Sequence, residues 1–148
     1  QLFNYPFIHL TGHGNVLFND TETQNLRTYL LGGGFLHIDD NYGLDVYIRR
    51  EMKKVFPSLD FVELPYTHAI YHQTYKFPTG LPKIHEHDGN PAQGFGLIYK
   101  GRLICFYSFE SDLGNGWEDV GTYSDPVKKH QEALKMGANI IQYAFNNP

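Results

Sequence analysis

The first part of the chain reads as an apolar run, a helical stripe and a second apolar run. Residues 5–11 and 35–38 are mainly apolar stretches, the pattern of strands that are buried on both faces. Between them Leu26, Leu30 and Leu31 recur at helical spacing. This order predicts strand, helix and strand.

Capping residues set the limits of the first predicted helix. Asn19 or Asp20 can begin it, Glu22 is placed to complete a capping box with Asn19, and the glycines at 32–34 end it. The further elements expected are a helix over 44–56, a strand over 59–64, strands over 95–99 and 103–109 joined as a hairpin across 100–102, and a helix over 126–145.

Strands that alternate with helices predict one α/β domain over residues 1–148. The βαβ units imply a mostly parallel sheet with right-handed crossovers, and the hairpin is expected as an antiparallel addition at an edge. In such sheets ligands bind beyond the carboxyl ends of the strands. The loops that follow residues 11 and 38 should therefore share one rim.

Composition removes several classes of function. The formal net charge is −4 and no run of Lys or Arg forms a basic stripe, so no nucleic-acid partner is expected. No apolar stretch approaches the roughly 20 residues that span a bilayer. Cys105 is the one cysteine, so an internal disulfide is excluded. The chain begins at Gln1, almost inside a strand, and we expect upstream sequence to have been removed.

The candidate catalytic residues follow the first two strands. His13 stands between two glycines, which allow a sharp turn that would present the imidazole as a base, a metal ligand or an oxyanion donor. The alternative is a loop histidine that only bonds a neighbouring carbonyl. Asp39 and Asp40 point to opposite sides of their strand, so one is expected in the site and the other as a helix cap near Leu44, an end that Asp45 could also cap. The sequence does not choose between them.

A candidate metal site lies in the histidine-rich loop. His85 and His87 would sit on one side of an extended stretch that also contains Glu86 and Asp88. This spacing suits a divalent metal ion, although two such histidines also occur in loops that bind nothing.

Acids, amides and aromatics in the loops are candidate substrate-binding groups. The segment after the hairpin can stack on a planar or sugar-like ligand and accept its hydroxyl protons. It can equally be a solvated turn with its indole against the sheet. His9 and His37 lie inside strands and are interpreted as core histidines. The candidate substrate-binding set is Asn15, Asn41, Tyr42, Glu110, Asp112, Trp117 and Glu118.

Several segments together resemble a bacterial family known as a domain of unknown function. That family is related to the class I glutamine amidotransferase-like and trehalose-utilisation-like flavodoxin folds. The resemblance covers nearly the whole chain and rests on Phe3–Phe7, Thr11–Gly14, Gly33–Asp40, Arg49–Pro57, His85–Gly89 and Glu110–Gly114.

The resemblance implies a three-layer α/β sandwich of flavodoxin-like type, with a strand and a helix that usually precede Gln1. It also implies export to the periplasm or outside the cell. The amidotransferase relatives carry a Cys nucleophile on a sharp turn after a strand. Here that turn reads Asp39–Asn41, so the sequence argues against thiol-dependent glutaminase chemistry.

Two functions of different classes remain. The first is a hydrolase, with or without a metal ion, that acts on a polar substrate such as a carbohydrate at the strand ends. The second is a non-catalytic module of the cell envelope that binds a glycan, a peptide or a partner protein. In the second, the same acids and histidines serve only as hydrogen-bonding groups.

Overall fold

The computed structural model describes residues 5–12, 14–40, 43–84, 91–117 and 127–148, and of Asn115 the backbone only. The strands are β1 (Ile8–Gly12), β2 (Leu36–Asp40), β3 (Val62–Glu63), β4 (Gln93–Tyr99) and β5 (Arg102–Phe109). The helices are α1 (Asp20–Leu31), α2 (Asp45–Val55), the single turn α3 (Leu113–Gly116) and α4 (Val127–Asn146).

The strands form one mixed, mostly parallel sheet in the order β1-β2-β5-β4-β3. β1, β2 and β5 pair in parallel, whereas β4 runs antiparallel to both of its neighbours. The α/β class and the mostly parallel sheet are therefore confirmed.

The expected position of the hairpin at an edge is wrong. β4 and β5 do pair across Lys100 and Gly101, which both adopt positive φ, but β5 lies in the middle of the sheet beside β2. Residues 103–107 of β5 are all buried. An apolar strand of this kind is stabilised by a neighbour on each side, which an edge does not provide.

The start of α1 confirms the predicted capping box. The Asn19 side chain accepts from the backbone N–H of Glu22, and the Glu22 carboxylate accepts from the N–H of Asn19. The predicted apolar stripe is partly wrong, because Leu31 is 45% exposed and Tyr29 is buried instead. The Tyr29 ring occupies the space where a Cβ on Gly34 would lie.

Two apolar clusters lie against the sheet. The first, here the α1–α2 cluster, joins Leu30 and Ile48 of the helices to the strand residues Ile38, Cys105 and Tyr107. The second, here the α4 cluster, joins residues of the last helix to other strand and loop residues, among them Phe35, Ile70, Phe106, Met136 and Ile140. Alternate residues of β2 and β5 point to opposite faces, so each strand contributes to both sides.

Among the described residues, no helix combines the length and the apolar character needed to cross a membrane.

Candidate functional site

Four polar side chains form a continuous hydrogen-bonded chain on the α4 side of the sheet. Nδ1 of His9 lies 3.0 Å from Nδ1 of His37, whose Nε2 lies 2.9 Å from the hydroxyl of Ser108. Ser108 Oγ in turn donates to Oδ1 of Asp39 over 2.6 Å. We call His9, His37, Ser108 and Asp39 the polar chain.

Strand register brings these four residues together. His9 pairs with His37 between β1 and β2, and Asp39 pairs with Ser108 between β2 and β5. Partners in a parallel ladder point to the same face, as do residues two apart along one strand. The four side chains therefore share one face of the sheet. His9 and His37 are the second residues of β1 and β2, whereas Asp39 and Ser108 lie near the carboxyl ends of β2 and β5.

Asp39 is the buried end of the polar chain. Its side chain also accepts the backbone N–H of Leu113 at 3.0 Å and that of Gly114 at 2.7 Å. Burial raises the pKa of Asp39 to about 6; the bonds from Ser108 and the two N–H groups oppose this rise, and the charge of Asp112 adds to it. Near neutral pH this carboxyl group can therefore gain or lose a proton.

The loop after β5 brings those N–H groups to Asp39. Glu110 and Asp112 adopt left-handed backbone conformations, with φ of 62° and 58°. Such conformations are unfavourable for residues other than glycine, at a cost of roughly 1 kcal/mol each. Between them, Ser111 donates to the carbonyl of Pro82 and accepts from the N–H of Ile84. The loop is therefore tied to the segment that leads into His85.

The two histidines of the polar chain are held among aromatic rings. The Trp117 ring lies 5.1 Å from that of His9 and 5.9 Å from that of His37, and its Nε1 donates to the carbonyl of Ala133 in α4. Burial lowers the pKa of His37 well below its usual value, and the nearby His9 lowers it further. His9 keeps an exposed surface, but the buried part of its ring lowers its pKa as well.

The hydrogen bonds determine which nitrogen carries each proton when Asp39 is ionised. The Ser108 hydroxyl has two acceptors within reach, Asp39 at 2.6 Å and the Ile38 carbonyl at 3.2 Å, and its one hydrogen goes to the closer, charged carboxylate. The hydroxyl oxygen must then accept from Nε2–H of His37. Nδ1 of neutral His37 is consequently an acceptor, and Nδ1–H of His9 donates to it. Nε2 of His9 is left with a lone pair and makes no hydrogen bond to any described residue.

The structure separates the two adjacent aspartates. Asp40 points to the side opposite Asp39 and accepts the backbone N–H of Leu44 at 3.2 Å, at the start of α2. Of the predicted pair, Asp39 is the one that joins the polar chain.

Asn15 lies away from the polar chain. It accepts from Arg50 and lines a groove of about 270 Å³ that is bordered by Thr11 and Leu44. Glu110 lies 3.8 Å from the ammonium of Lys83.

The remaining predicted residues are outside the described part of the chain, namely His13, Asn41, Tyr42, His85, His87 and Glu118. Within the described ranges, no group of three or more His, Cys, Asp or Glu side chains could hold a metal ion.

A family comparison covers almost the whole chain. Residues 1–145 match the model of a family described as a domain of unknown function, DUF4159. The chain belongs to this family. No curated protein matches it. Membership in DUF4159 confirms the resemblance to an uncharacterised family.

In this DUF4159 domain, sequence reasoning missed three of the four residues of the polar chain. His9 and His37 were interpreted as core residues, and Ser108 was not singled out. His37 is indeed buried and hydrogen-bonded, whereas His9 is exposed. A signal was present, because His9 and His37 each precede by two residues another polar residue of their strand, Thr11 and Asp39. Residues two apart along a strand share a face, so the polar residue Asp39 indicated that His37 lies on a polar face as well.

Proposed function

We propose that this domain is a hydrolase in which His9 acts as the general base. His9 would remove a proton from water, or from a hydroxyl group of the substrate, as that oxygen attacks. The single observation that carries the proposal is the direction of the hydrogen bonds in the polar chain, which leaves the Nε2 lone pair of an exposed histidine unused.

The electrostatics support a base at this position. The pKa of His9 is lowered by burial, so its imidazole is neutral at pH 7 and can accept a proton. The bond from His9 to His37 orients the imidazole and selects its tautomer, as the third member of a catalytic triad does for its histidine.

The substrate we propose is polar and of carbohydrate type. Asp39 and Ser108 of the polar chain lie near the carboxyl ends of β2 and β5, the edge at which open α/β sheets bind ligands. Trp117 of the adjoining loop is partly buried and supplies an indole 5.1 Å from the ring of His9, a group that suits a sugar face, whereas the acids Glu110 and Asp112 of the same loop are buried. Asn15 would contact a substrate that extends along the groove beside Thr11.

Hydrolysis of activated substrates tests the proposal without knowledge of the natural substrate. The full chain would be assayed against p-nitrophenyl acetate, p-nitrophenyl phosphate and a panel of p-nitrophenyl glycosides from pH 4 to 9. We expect hydrolysis of at least one class, with a rate that rises as His9 loses its proton. The variant His9→Gln should lose at least tenfold of that rate.

His72→Gln is the matched control. His72 is a partly buried histidine outside the polar chain, where it bonds the carbonyl of Tyr66. Its replacement should leave the rate unchanged. Equal rates for the wild-type chain and His9→Gln on every substrate would overturn the proposal.

A divalent metal ion at His85 and His87 remains part of the proposal as a source of activated water. Elemental mass spectrometry on protein purified without chelator or tag tests it. We expect a near-stoichiometric divalent ion that the double variant His85→Ala, His87→Ala loses. The absence of metal from both proteins would remove this part and leave His9 as the base.

One observation favours the second candidate function, a non-catalytic binding module of the cell envelope. Both oxygens of Asp39 accept hydrogen bonds from the protein, and two of these bonds anchor α3, a structural role that requires no proton transfer. In that case Asp39→Asn would lower stability and leave ligand affinity unchanged.

We also infer the finer fold type and the location that the resemblance implies. The separate α1–α2 and α4 clusters support a three-layer, glutamine amidotransferase-like arrangement. Periplasmic or extracellular location is part of the same inference, and fractionation of cells that express the full natural gene tests it.

A further inference from the structure

We propose that the polar chain is a two-state proton relay that carries a proton between Nε2 of His9 at the surface and the buried carboxylate of Asp39. His37 and Ser108 are the positioning residues that pass it on. The relay deepens the proposed function, because it names the place to which His9 sends the proton it removes. It rests on that function for its use in a reaction, and on the geometry alone for its existence.

Neighbouring side chains of the polar chain lie at hydrogen-bond distance, and in each pair either group can be the donor. The three heavy-atom separations are 3.0, 2.9 and 2.6 Å. Imidazole and hydroxyl groups both donate and accept, so each can take a proton on one side while it releases one on the other. Aromatic rings of Trp117 and Phe106 lie beside His37 and exclude water from the central link.

The transfer conserves every proton. His9 takes one at Nε2 and gives the one on Nδ1 to Nδ1 of His37. His37 gives its Nε2 proton to Ser108, and Ser108 gives its hydroxyl proton to Oδ1 of Asp39. At the end both histidines are neutral in the opposite tautomer, Asp39 is protonated, and each hydrogen bond has reversed its direction. The backbone N–H groups of Leu113 and Gly114 donate to Asp39 in both states.

Burial shifts the proton affinities of the two ends of the relay in opposite directions, which brings them closer together. The pKa of Asp39 is about 6, and that of His9 lies below its usual value of 6.5. The charged groups that bear on these ends are Asp112, after β5, which raises the pKa of Asp39, and His9 itself, whose charge lowers the pKa of His37. Because burial disfavours the imidazolium form of His37, this residue passes a proton and does not store it.

Nitrogen NMR of the imidazole rings tests the relay directly. The full chain, labelled with ¹⁵N, would be titrated from pH 8 to pH 4 while the tautomer of His37 is read from its two nitrogen shifts. We expect His37 to switch from Nε2–H to Nδ1–H as Asp39 gains its proton. A single His37 tautomer throughout the titration of Asp39, or an imidazolium at His37, would overturn the relay.

Variants at Ser108 show whether its hydroxyl carries the coupling. Ser108→Ala should abolish the tautomer switch, and Ser108→Thr, which retains a hydroxyl, should restore it. If Ser108→Ala does not fold, Asp39→Asn serves instead, since an amide cannot titrate and His37 should then keep one tautomer. A switch that persists in Asp39→Asn would contradict the relay.

Different experimental results would contradict the relay and the proposed hydrolase function. A tautomer switch without ester, phosphate or glycoside hydrolysis would leave the relay and remove the hydrolase. Hydrolysis that depends on His9 without a tautomer switch would do the reverse.

Discussion

Two buried carboxylates on opposite sides of the sheet, Glu51 and Asp39, are stabilised in opposite ways. On the α1–α2 side, Glu51 is almost fully buried, but its oxygens reach the cations of Arg50 and Lys54 and the backbone N–H of Phe18. On the α4 side, the donors to Asp39 among the described residues are all neutral. Cationic side chains neutralise the charge of Glu51, whereas uncharged N–H and O–H donors stabilise Asp39.

This difference has a direct electrostatic consequence. Although burial alone would raise it, the bonds from Lys54, Phe18 and Arg50 hold the pKa of Glu51 at about 2. Burial raises the pKa of Asp39 to about 6 despite its hydrogen bonds. Paired charge stabilises a carboxylate as a permanent anion, whereas neutral donors leave it able to exchange a proton near pH 6. The two faces therefore differ in chemistry, and the difference can be measured.

The largest effect is expected from the apolar face. Ile38→Ala removes three methyl or methylene carbons from a side chain with no exposed surface and should lower the free energy of unfolding by about 4 kcal/mol. Urea unfolding followed by circular dichroism measures this, and Ile38→Val, expected to cost about 1 kcal/mol, is the control. A loss below 1 kcal/mol for Ile38→Ala would show that this face does not carry the core.

The second effect concerns Asp39 and depends on pH. Its folded-state pKa is raised from 3.8 to about 6, so its protonation stabilises the fold fully below about pH 4, and this stabilisation is lost as pH rises through 6. The difference between the wild-type chain and Asp39→Asn should therefore widen by up to about 3 kcal/mol from pH 7 to pH 4. A constant difference across that range would contradict the raised pKa.

Glu51 should show the opposite slope. Its pKa is lowered from 4.5 to about 2, so its contribution is present above pH 4.5 and is lost as pH falls through 2. Glu51→Gln should cost about 2 kcal/mol at pH 7, the scale of hydrogen bonds to charged groups. Unfolding measured at pH 7 and pH 3 checks this: the cost should shrink at the lower pH. If it grew, the comparison of the two faces would fail.

The smallest effect comes from a glycine under the indole. A Cβ at Gly137 would lie 3.0 Å from the ring of Trp117 and should shift that ring away from His9. The steric cost and the gain in helix propensity offset each other, so Gly137→Ala should change stability by less than about 1 kcal/mol. The pKa of His9, followed by NMR, should rise towards its usual value as the ring becomes hydrated.

Ala138→Gly, at the exposed neighbouring position, measures helix propensity alone and controls for that term. An unchanged pKa of His9 in Gly137→Ala would mean that Trp117 does not contribute to the burial of that histidine.

Local signals made much of the fold predictable. The capping box at Asn19 and Glu22 is satisfied within four residues, and α2, predicted over 44–56, spans Asp45–Val55. The position of β5 was not predictable in this way. It pairs with β2 from 69 residues away, and no local pattern reports a contact between distant segments.

The candidate site was predictable only where a local sequence pattern marks one of its residues. Asp39 was found because it ends a strand, where polar residues face a rim. Ser108 was not found, because its part in the site depends on the strand register that places its hydroxyl 2.6 Å from the Asp39 carboxylate. The turn α3 was also missed, since Leu113–Gly116 contains two glycines and lacks helical periodicity. It is held there by its bonds to Asp39 rather than by propensity.

Cys105 gives the molecule a built-in reporter of its opening. Its thiol has no exposed surface, lies between β2 and β4 in the middle of the sheet, and is the one cysteine of the chain. Burial raises its pKa, so neither a maleimide nor a disulfide reagent can reach or activate it in the native state. Labelling therefore proceeds only through molecules whose sheet has transiently separated. The rate at which the Cys105 thiol is modified therefore measures how often the protein undergoes the rare, large opening that exposes the middle of the sheet.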